Sequence, residues 1–320
     1  METTRVKDIE FRSAEHVLQE IENMNVRGGS PFGRSAAWAY KLAIEQEDLP
    51  TYEALYARVC NLEKKLHDYK PTMATIYNSS TIVRSFVEKN SAWSITKLKE
   101  KTVKLCENII EKSFEAVEKL AVYGANLIPD GGTVMMHSYS STLMGIYKQA
   151  TLDGKKFTVI CTESRPLRES RNAVKILQEC GQKVIFISDA SAWEFMPKAD
   201  LIIMGADTLC TNGDVANKMG SAQIAQLALA CKKPVYFASE LYKLDTRTLY
   251  GRPVELERRS QWELVSEDDF PSFDNLEVIN QFFDVTPARN ITGIITEYGV
   301  LNPAQMLPYW DKLIAALEEE

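Results

Sequence analysis

The chain has 320 residues, 45% of them hydrophobic and 25% charged, with a formal net charge of -7. Those proportions are globular and exclude wholesale disorder. The acidic balance argues against direct nucleic-acid binding over a broad surface and leaves room for a local basic pocket only.

Length alone suggests about two domains. Residues 1–125 read as a helical N-terminal domain. RVKDIEF stands as a short arm. In SAEHVLQEIENM, Val17, Leu18 and Ile21 fall at helical spacing behind a Ser13 N-cap, with Glu15 and His16 in the first turn. SAAWAYKLAIEQE and TYEALYARVCNLEKKLHDYK give two more helices. The second must stop at Lys70, because the residue before Pro71 is disfavoured in a helix. NSSTIVRSFVEKN and the long SITKLKEKTVKLCENIIEKSFEAVEKLAVYGANL complete the set, and the Lys and Glu residues of the last form a solvated face.

Residues 126–320 change texture. GGTVMMHS, KFTVICTES, QKVIFIS, ADLIIMGAD and KPVYFAS are short runs rich in Val, Ile and Phe, separated by the helical stretches STLMGIYKQATLDG, ESRNAVKILQECG and NKMGSAQIAQLALACK; GIITE adds a late strand. Strand and helix in alternation predict βαβ units, an α/β, Rossmann-like C-terminal domain with a mostly parallel sheet. The runs are continuous because both faces of such a sheet are covered. SEDDFPSFDN is an acidic surface loop. The six cysteines, Cys60, Cys106, Cys161, Cys180, Cys210 and Cys231, include no CxxC pair. There is no apolar signal core and no run near ~20 residues, so the expectation is a cytoplasmic protein with free thiols, no membrane contact, no metal and no cofactor.

In open α/β sheets, ligands bind beyond the carboxyl ends of the strands. Here those ends are polar throughout. TVMM is followed by His137, Ser138, Tyr139, Ser140, Ser141 and Thr142, FTVIC by Glu163, Arg165 and Arg168, and VIFIS by Asp189. LIIMG is followed by Asp207 and by Asn212 to Lys218, and VYFAS by Glu240 and Lys243. Backbone N–H groups of Ser140, Ser141 and Thr142, where a helix begins, suit an anion. Arg165, Lys218 and Lys243 add positive charge, and Arg27-Gly28-Gly29-Ser30 is a second phosphate cradle. Asp207 suits sugar hydroxyls or proton transfer. The sum points to a phosphorylated sugar or related metabolite. Bland readings stand beside these: a Ser/Thr cluster before a helix is often an N-cap, Asp207 a turn aspartate, His137 a packing histidine, Cys161 and Cys210 core thiols.

These residues also carry a family resemblance. GADTLCTNGDVANKMGS resembles the GAD…NGDVANKIGT signature of the methylthioribose-1-phosphate isomerase superfamily, which includes archaeal ribose-1,5-bisphosphate isomerase and the α, β and δ subunits of translation initiation factor 2B. VICTESRP, FDVTPARNITGIITEYGVL, NVRGGSPFGRSAAWAY and KPTMATIYNSS resemble further family segments in collinear order. The resemblance implies a helical domain on a Rossmann-like domain, assembled as a homodimer or larger homo-oligomer, with a phosphorylated sugar or nucleotide as ligand and initiation-factor subunits as partners. It also implies that Asp207 exchanges protons, that Asn217, Lys218 and Lys243 hold phosphate, and that Arg27, Gly28, Gly29 and Ser30 form the N-terminal cradle. Lys70 stands where the isomerases tend to carry arginine.

One position departs from the isomerases. They carry cysteine where this chain has Ser138, and HSYSST resembles the initiation-factor subunits instead. A thiol of pKa near ~8.5 is easily tuned into a base; a serine hydroxyl needs an adjacent base to act. Two readings follow. One is an initiation factor 2B α-subunit-like, regulatory protein with a retained pocket. The other is a ribose-1,5-bisphosphate isomerase or related phosphosugar isomerase with a substitute base, for which His137, Cys161 or a water are candidates. A purely structural subunit with a vestigial pocket is the third, bland option.

Overall fold

The computed structural model describes residues 9–26 and 28–319; Arg27 and most of the predicted RVKDIEF arm lie outside them. The chain folds into two units. One holds residues up to Ala116 together with Glu240–Thr246 and the stretch from Leu307. The other holds Val117–Ser239 and Arg247–Met306.

The first unit is helical. It contains α1 (Ala14–Glu22), α2 (Gly29–Gln46), α3 (Tyr52–Tyr69), α4 (Ala74–Lys89), most of α5 (Ile95–Leu127), a two-residue strand β8 (Leu244–Asp245) and α10 (Leu307–Glu318). Ser13 Oγ accepts the His16 N–H at 3.2 Å and starts α1, whose Val17, Leu18 and Ile21 are buried. Thr51 caps α3 in the same way through the Ala54 N–H, and α3 ends at Lys70 before Pro71. Helix α2 begins ahead of the predicted SAAWAYKLAIEQE. Gly28, at φ 92°, turns the chain into it, and Pro31 is tolerated in a first turn where N–H groups have no helical partner.

The second unit is built on a sheet of β1 (Thr133–Met136), β2 (Thr158–Thr162), β3 (Lys183–Ile187), β4 (Leu201–Gly205), β7 (Val235–Ala238), β10 (Gly293–Thr296) and β11 (Gly299–Leu301). Their order is β11-β10-β7-β4-β1-β2-β3, parallel except for the β10–β11 hairpin. Helices α6 (Ser141–Leu152), α7 (Ser170–Glu179), the short α8 (Ala192–Phe195) and α9 (Ser221–Ala230) connect the strands. Val134, Met136, Leu143, Ile146, Tyr147, Val159, Cys161 and Ile203 share one core, which is why the strand sequences are continuously apolar. From β1 the chain steps outward to β2 and β3, and from β4 it steps the other way, so the topological switch point lies between β1 and β4.

The polar stretch after β4 is a strand pair, and the predicted helix NKMGSAQIAQLALACK starts only at Ser221. The pair is the hairpin of β5 (Thr208–Cys210) and β6 (Val215–Lys218), and β6 also pairs antiparallel with β9 (Phe283–Thr286). Asn212, Gly213 and Asp214 make its turn: the Asp214 N–H donates to Asn212 Oδ1 at 3.1 Å and Gly213 sits at φ 91°. Much of the polarity there is turn chemistry. Among the described residues, no helix is long and apolar enough to cross a membrane.

Gly124 in α5 faces Ile146 of α6 so closely that an added Cβ would fall 2.6 Å from Ile146 Cγ1. Gly124→Ala is expected to destabilise the fold by about 1–3 kcal/mol through overpacking, outweighing the ~0.5–1 kcal/mol gain in helix propensity. Adding Ile146→Val is expected to recover part of the loss in urea-unfolding midpoints. A Gly124→Ala chain as stable as the parent would contradict this packing.

Candidate functional site

Six described non-glycine residues have positive φ, and three of them, Ser138, Ser164 and Arg168, follow β1 and β2. Such backbone is costly for L-residues and gathers where geometry serves a site. The Ser138 N–H donates to Ser164 Oγ at 2.7 Å, and Ser164 Oγ is paired with Ser170 Oγ at 2.8 Å. The Ser164 and Arg165 N–H groups donate to the two carboxylate oxygens of Asp189, each at 2.8 Å. Asp189 is therefore the anchor of the β2–α7 loop.

Ser140 is the N-cap of α6, its Oγ accepting the Leu143 N–H at 3.4 Å. A Cβ at Gly205 would lie 2.7 Å from Ser140 Cβ, so only glycine lets the end of β4 press against this cap. Ser141 is exposed and Thr142 buried in the first turn of α6, where free backbone N–H groups favour an anion.

The chemical centre of this unit is Lys218, at the end of β6. Its side chain is 5% exposed. Nζ lies 2.5 Å from Glu169 Oε1 and 3.1 Å from the centroid of the Phe282 ring. Arg259 covers the same ring at 4.4 Å. Burial pulls the Lys218 pKa down, and the charges of Glu169 and then Asp207 oppose that pull. Asp207 is half-buried in the turn between β4 and β5, its N–H donating to Ala216 O at 3.0 Å. Asn217, the neighbour of Lys218, donates through Nδ2 to Ser221 Oγ at 2.8 Å, and Ser221 Oγ donates to Lys218 O at 2.7 Å. Of the predicted residues, Asp207 and Lys218 thus come within electrostatic reach of each other, while the Asn217 amide is tied to Ser221. Glu169, Phe282 and Arg259 join Lys218 and were not singled out from sequence.

The candidate bases fare differently. His137 Nε2 must donate to Met219 O at 2.8 Å, since a carbonyl only accepts, so Nδ1 accepts from Thr162 Oγ1 at 2.6 Å. Both ring nitrogens are committed, and burial lowers the His137 pKa, keeping it neutral. These two bonds favour the packing reading of His137. Cys161 is fully buried in the sheet core, and burial pushes its thiol up to about 12. Neither is a ready base.

Arg165 lines a cavity of about 390 Å³ with His137, Asp189, Met219, Gly220, Asn280 and Asp284, and donates to Leu264 O at 3.2 Å. The remaining predicted ligand residues belong to the helical unit: Gly28 and Gly29 at the start of α2, buried Ser30, buried Lys243, and Lys70, whose Nζ lies 5.6 Å from the Phe32 ring centroid.

A model of the Initiation factor 2 subunit family matches residues 25–303. The chain belongs to that family. It is 32% identical to ribose 1,5-bisphosphate isomerase of Thermococcus kodakarensis, across 90% of each chain. It is 33% identical to a putative translation initiation factor eIF-2B subunit 2-like protein of Pyrococcus furiosus, across 90% of this chain and 95% of that one. The crystal structure of 5-methylthioribose 1-phosphate isomerase from Pyrococcus horikoshii superposes with a TM-score of 0.74 at 26% identity, covering 95% of this chain and 88% of that one. The resemblance read from the motifs is borne out, and so is the fold it implies.

Two outcomes follow from the site. Glu169→Gln removes the charge nearest the Lys218 ammonium, and a loss of about 1–3 kcal/mol is expected in denaturant melts; an unchanged midpoint would show that Asp207 alone suffices. Asp284 accepts the Gly220 N–H at 2.7 Å, and burial lifts its pKa to about 6. A carboxyl raised in the folded state favours folding below its unfolded pKa, near ~3.9, and loses that contribution as pH rises through about 6. Between pH 4 and 6 the parent is expected to lose on the order of 2–3 kcal/mol relative to Asp284→Asn; parallel pH profiles would contradict this.

Proposed function

We propose that this chain binds a phosphorylated sugar, with ribose 1,5-bisphosphate as the first candidate, and acts as a regulatory, ligand-sensing member of its family. The observation that carries this is a buried ammonium, Lys218, held by Glu169 and within electrostatic reach of the Asp207 carboxylate, in a unit whose strand β1 is followed by the hydroxyl of Ser138. The ammonium suits a phosphate oxygen, and Asp207 suits sugar hydroxyls. Aldose–ketose isomerisation needs a base that removes the proton from C2 and returns it to C1. Ser138 does this poorly without a partner base, and His137 and Cys161 are committed to packing.

The relatives named ribose 1,5-bisphosphate isomerase support the second reading, the isomerase, more directly than the regulatory one. In that reading Asp207 moves the proton between the substrate oxygens, and a bound water takes the place of the thiol. A nucleotide is the competing ligand class for either reading.

Calorimetric titration of ribose 1,5-bisphosphate, ribose and a nucleoside monophosphate tests the shared claim. Binding of the bisphosphate alone is expected, weakened about tenfold or more by Lys218→Met, with folding of the variant checked by its melting curve. Binding indifferent to Lys218, or no binding, would refute the assignment.

A further inference from the structure

The helical unit contains a second polar assembly, and its parts converge on one residue pair flanking Lys243. Thr75, Asn78 and Ser79 lie on one face of α4 at helical spacing, each at most 1% exposed. Three fully buried polar side chains on a helix face need partners, and each has one outside its own helix. Thr75 Oγ1 donates to Gly29 O at 2.6 Å, in the glycine turn that opens α2. Asn78 Nδ2 donates to Tyr242 O at 2.8 Å and to Leu244 O at 2.9 Å. Both hydrogens of one amide thus hold the carbonyls on either side of Lys243.

Ser79 closes the assembly. Its Oγ lies 2.8 Å from Gly33 O, 3.0 Å from Thr75 O and 2.7 Å from the Tyr242 hydroxyl. The single Ser79 hydrogen points to carbonyls, so the phenol of Tyr242 is the donor in the last bond. Burial raises the Tyr242 pKa and keeps that proton in place. Gly33 lets the pieces approach: a Cβ there would lie 2.9 Å from Thr75 Cβ and 3.0 Å from Tyr242 Cε1. At the near end of the same segment, Ser113 Oγ donates to Glu240 at 2.5 Å and receives Arg34 at 2.9 Å. Among the described residues, Asn78 Oδ1 has no hydrogen-bond partner. A buried amide that leaves its oxygen unsatisfied is there for its two donors.

We infer that Asn78, with Tyr242 and Ser79 behind it, is a positioning residue that fixes the backbone of Lys243 for anion binding, while Thr75 on the same helix face fixes the Gly28–Ser30 turn. Asn78 acts through the peptide groups on both sides of Lys243 and touches neither the Lys243 ammonium nor the ligand. One helix face thereby presets two segments that sequence alone leaves 200 residues apart in role: a glycine turn and a lysine. The inference rests on the proposal that the chain binds a phosphosugar and on the family resemblance, which implies that Lys243 holds phosphate.

A double-mutant cycle tests it, with ribose 1,5-bisphosphate as the probe and calorimetry as the readout. Lys243→Met is expected to weaken binding about tenfold or more. Asn78→Ser, which keeps one donor, and Tyr242→Phe, which keeps the ring, are each expected to weaken it severalfold. The combinations Asn78→Ser/Lys243→Met and Tyr242→Phe/Lys243→Met are expected to bind no more weakly than Lys243→Met alone, because a residue that works through Lys243 has nothing left to position. A merely structural role would lower melting temperature and leave affinity unchanged, or add its own loss to that of Lys243→Met. Either result overturns the inference and leaves the phosphosugar reading standing. If Lys243→Met binds as the parent does, Lys243 is no ligand residue and the inference falls for that reason. If the parent binds no ribose 1,5-bisphosphate, the phosphosugar reading itself fails first.

Discussion

A buried ammonium must be matched by negative charge, and in the α/β unit that constraint organises the polar end of the sheet. Lys218 is supplied by β6, Glu169 by the β2–α7 loop, Asp207 by the turn after β4, and Phe282 by the residue before β9. Desolvating a lysine disfavours its charged form; the two carboxylates oppose that pull without cancelling it. Four segments that meet nowhere else in sequence are therefore tied to one atom. The same constraint gives the site its chemistry. Glu169 holds the cation, and under the proposed function a phosphate oxygen would compete for it.

The backbone around this cluster is set before the side chains act. Ser138 and Ser164 take left-handed conformations, and Asp189 gathers two consecutive amides of the β2–α7 loop. Such strain is held by the surrounding hydrogen bonds, and it places a hydroxyl at the switch point between β1 and β4. By the resemblance of the motifs, Ser138 stands where the isomerases carry cysteine. The fold is that of the family, and the proposed phosphosugar binding draws on the buried Lys218 ammonium and its neighbouring carboxylates.

Much of this was legible in the sequence. Continuous apolar runs gave the parallel strands, and the Ser13 cap and the Lys70-Pro71 stop gave helix ends that the structure reproduces. The polar residues after β4 were legible as a group, with Asn217 and Lys218 assigned to the following helix rather than to a strand: Val215–Lys218 is too short and too polar to signal a strand, and its place is fixed by pairing with β9, more than sixty residues away. Glu169 carried no signal of its own, because its role exists only through Lys218. The clamp of Asn78 on the Lys243 segment was equally hidden, since it joins an amide to carbonyls 164 and 166 residues distant. Periodicity reports local structure; long-range pairing of polar groups leaves no period to read.

The central claim is that this chain keeps the ligand site and lacks the carbon base. Turnover of ribose 1,5-bisphosphate to ribulose 1,5-bisphosphate by the parent chain and by Ser138→Cys tests it most directly. The account predicts a silent parent, and a thiol variant that gains activity and loses it again when Asp207→Asn is added. Turnover by the parent that survives Ser138→Ala would contradict it and place the base elsewhere in the site.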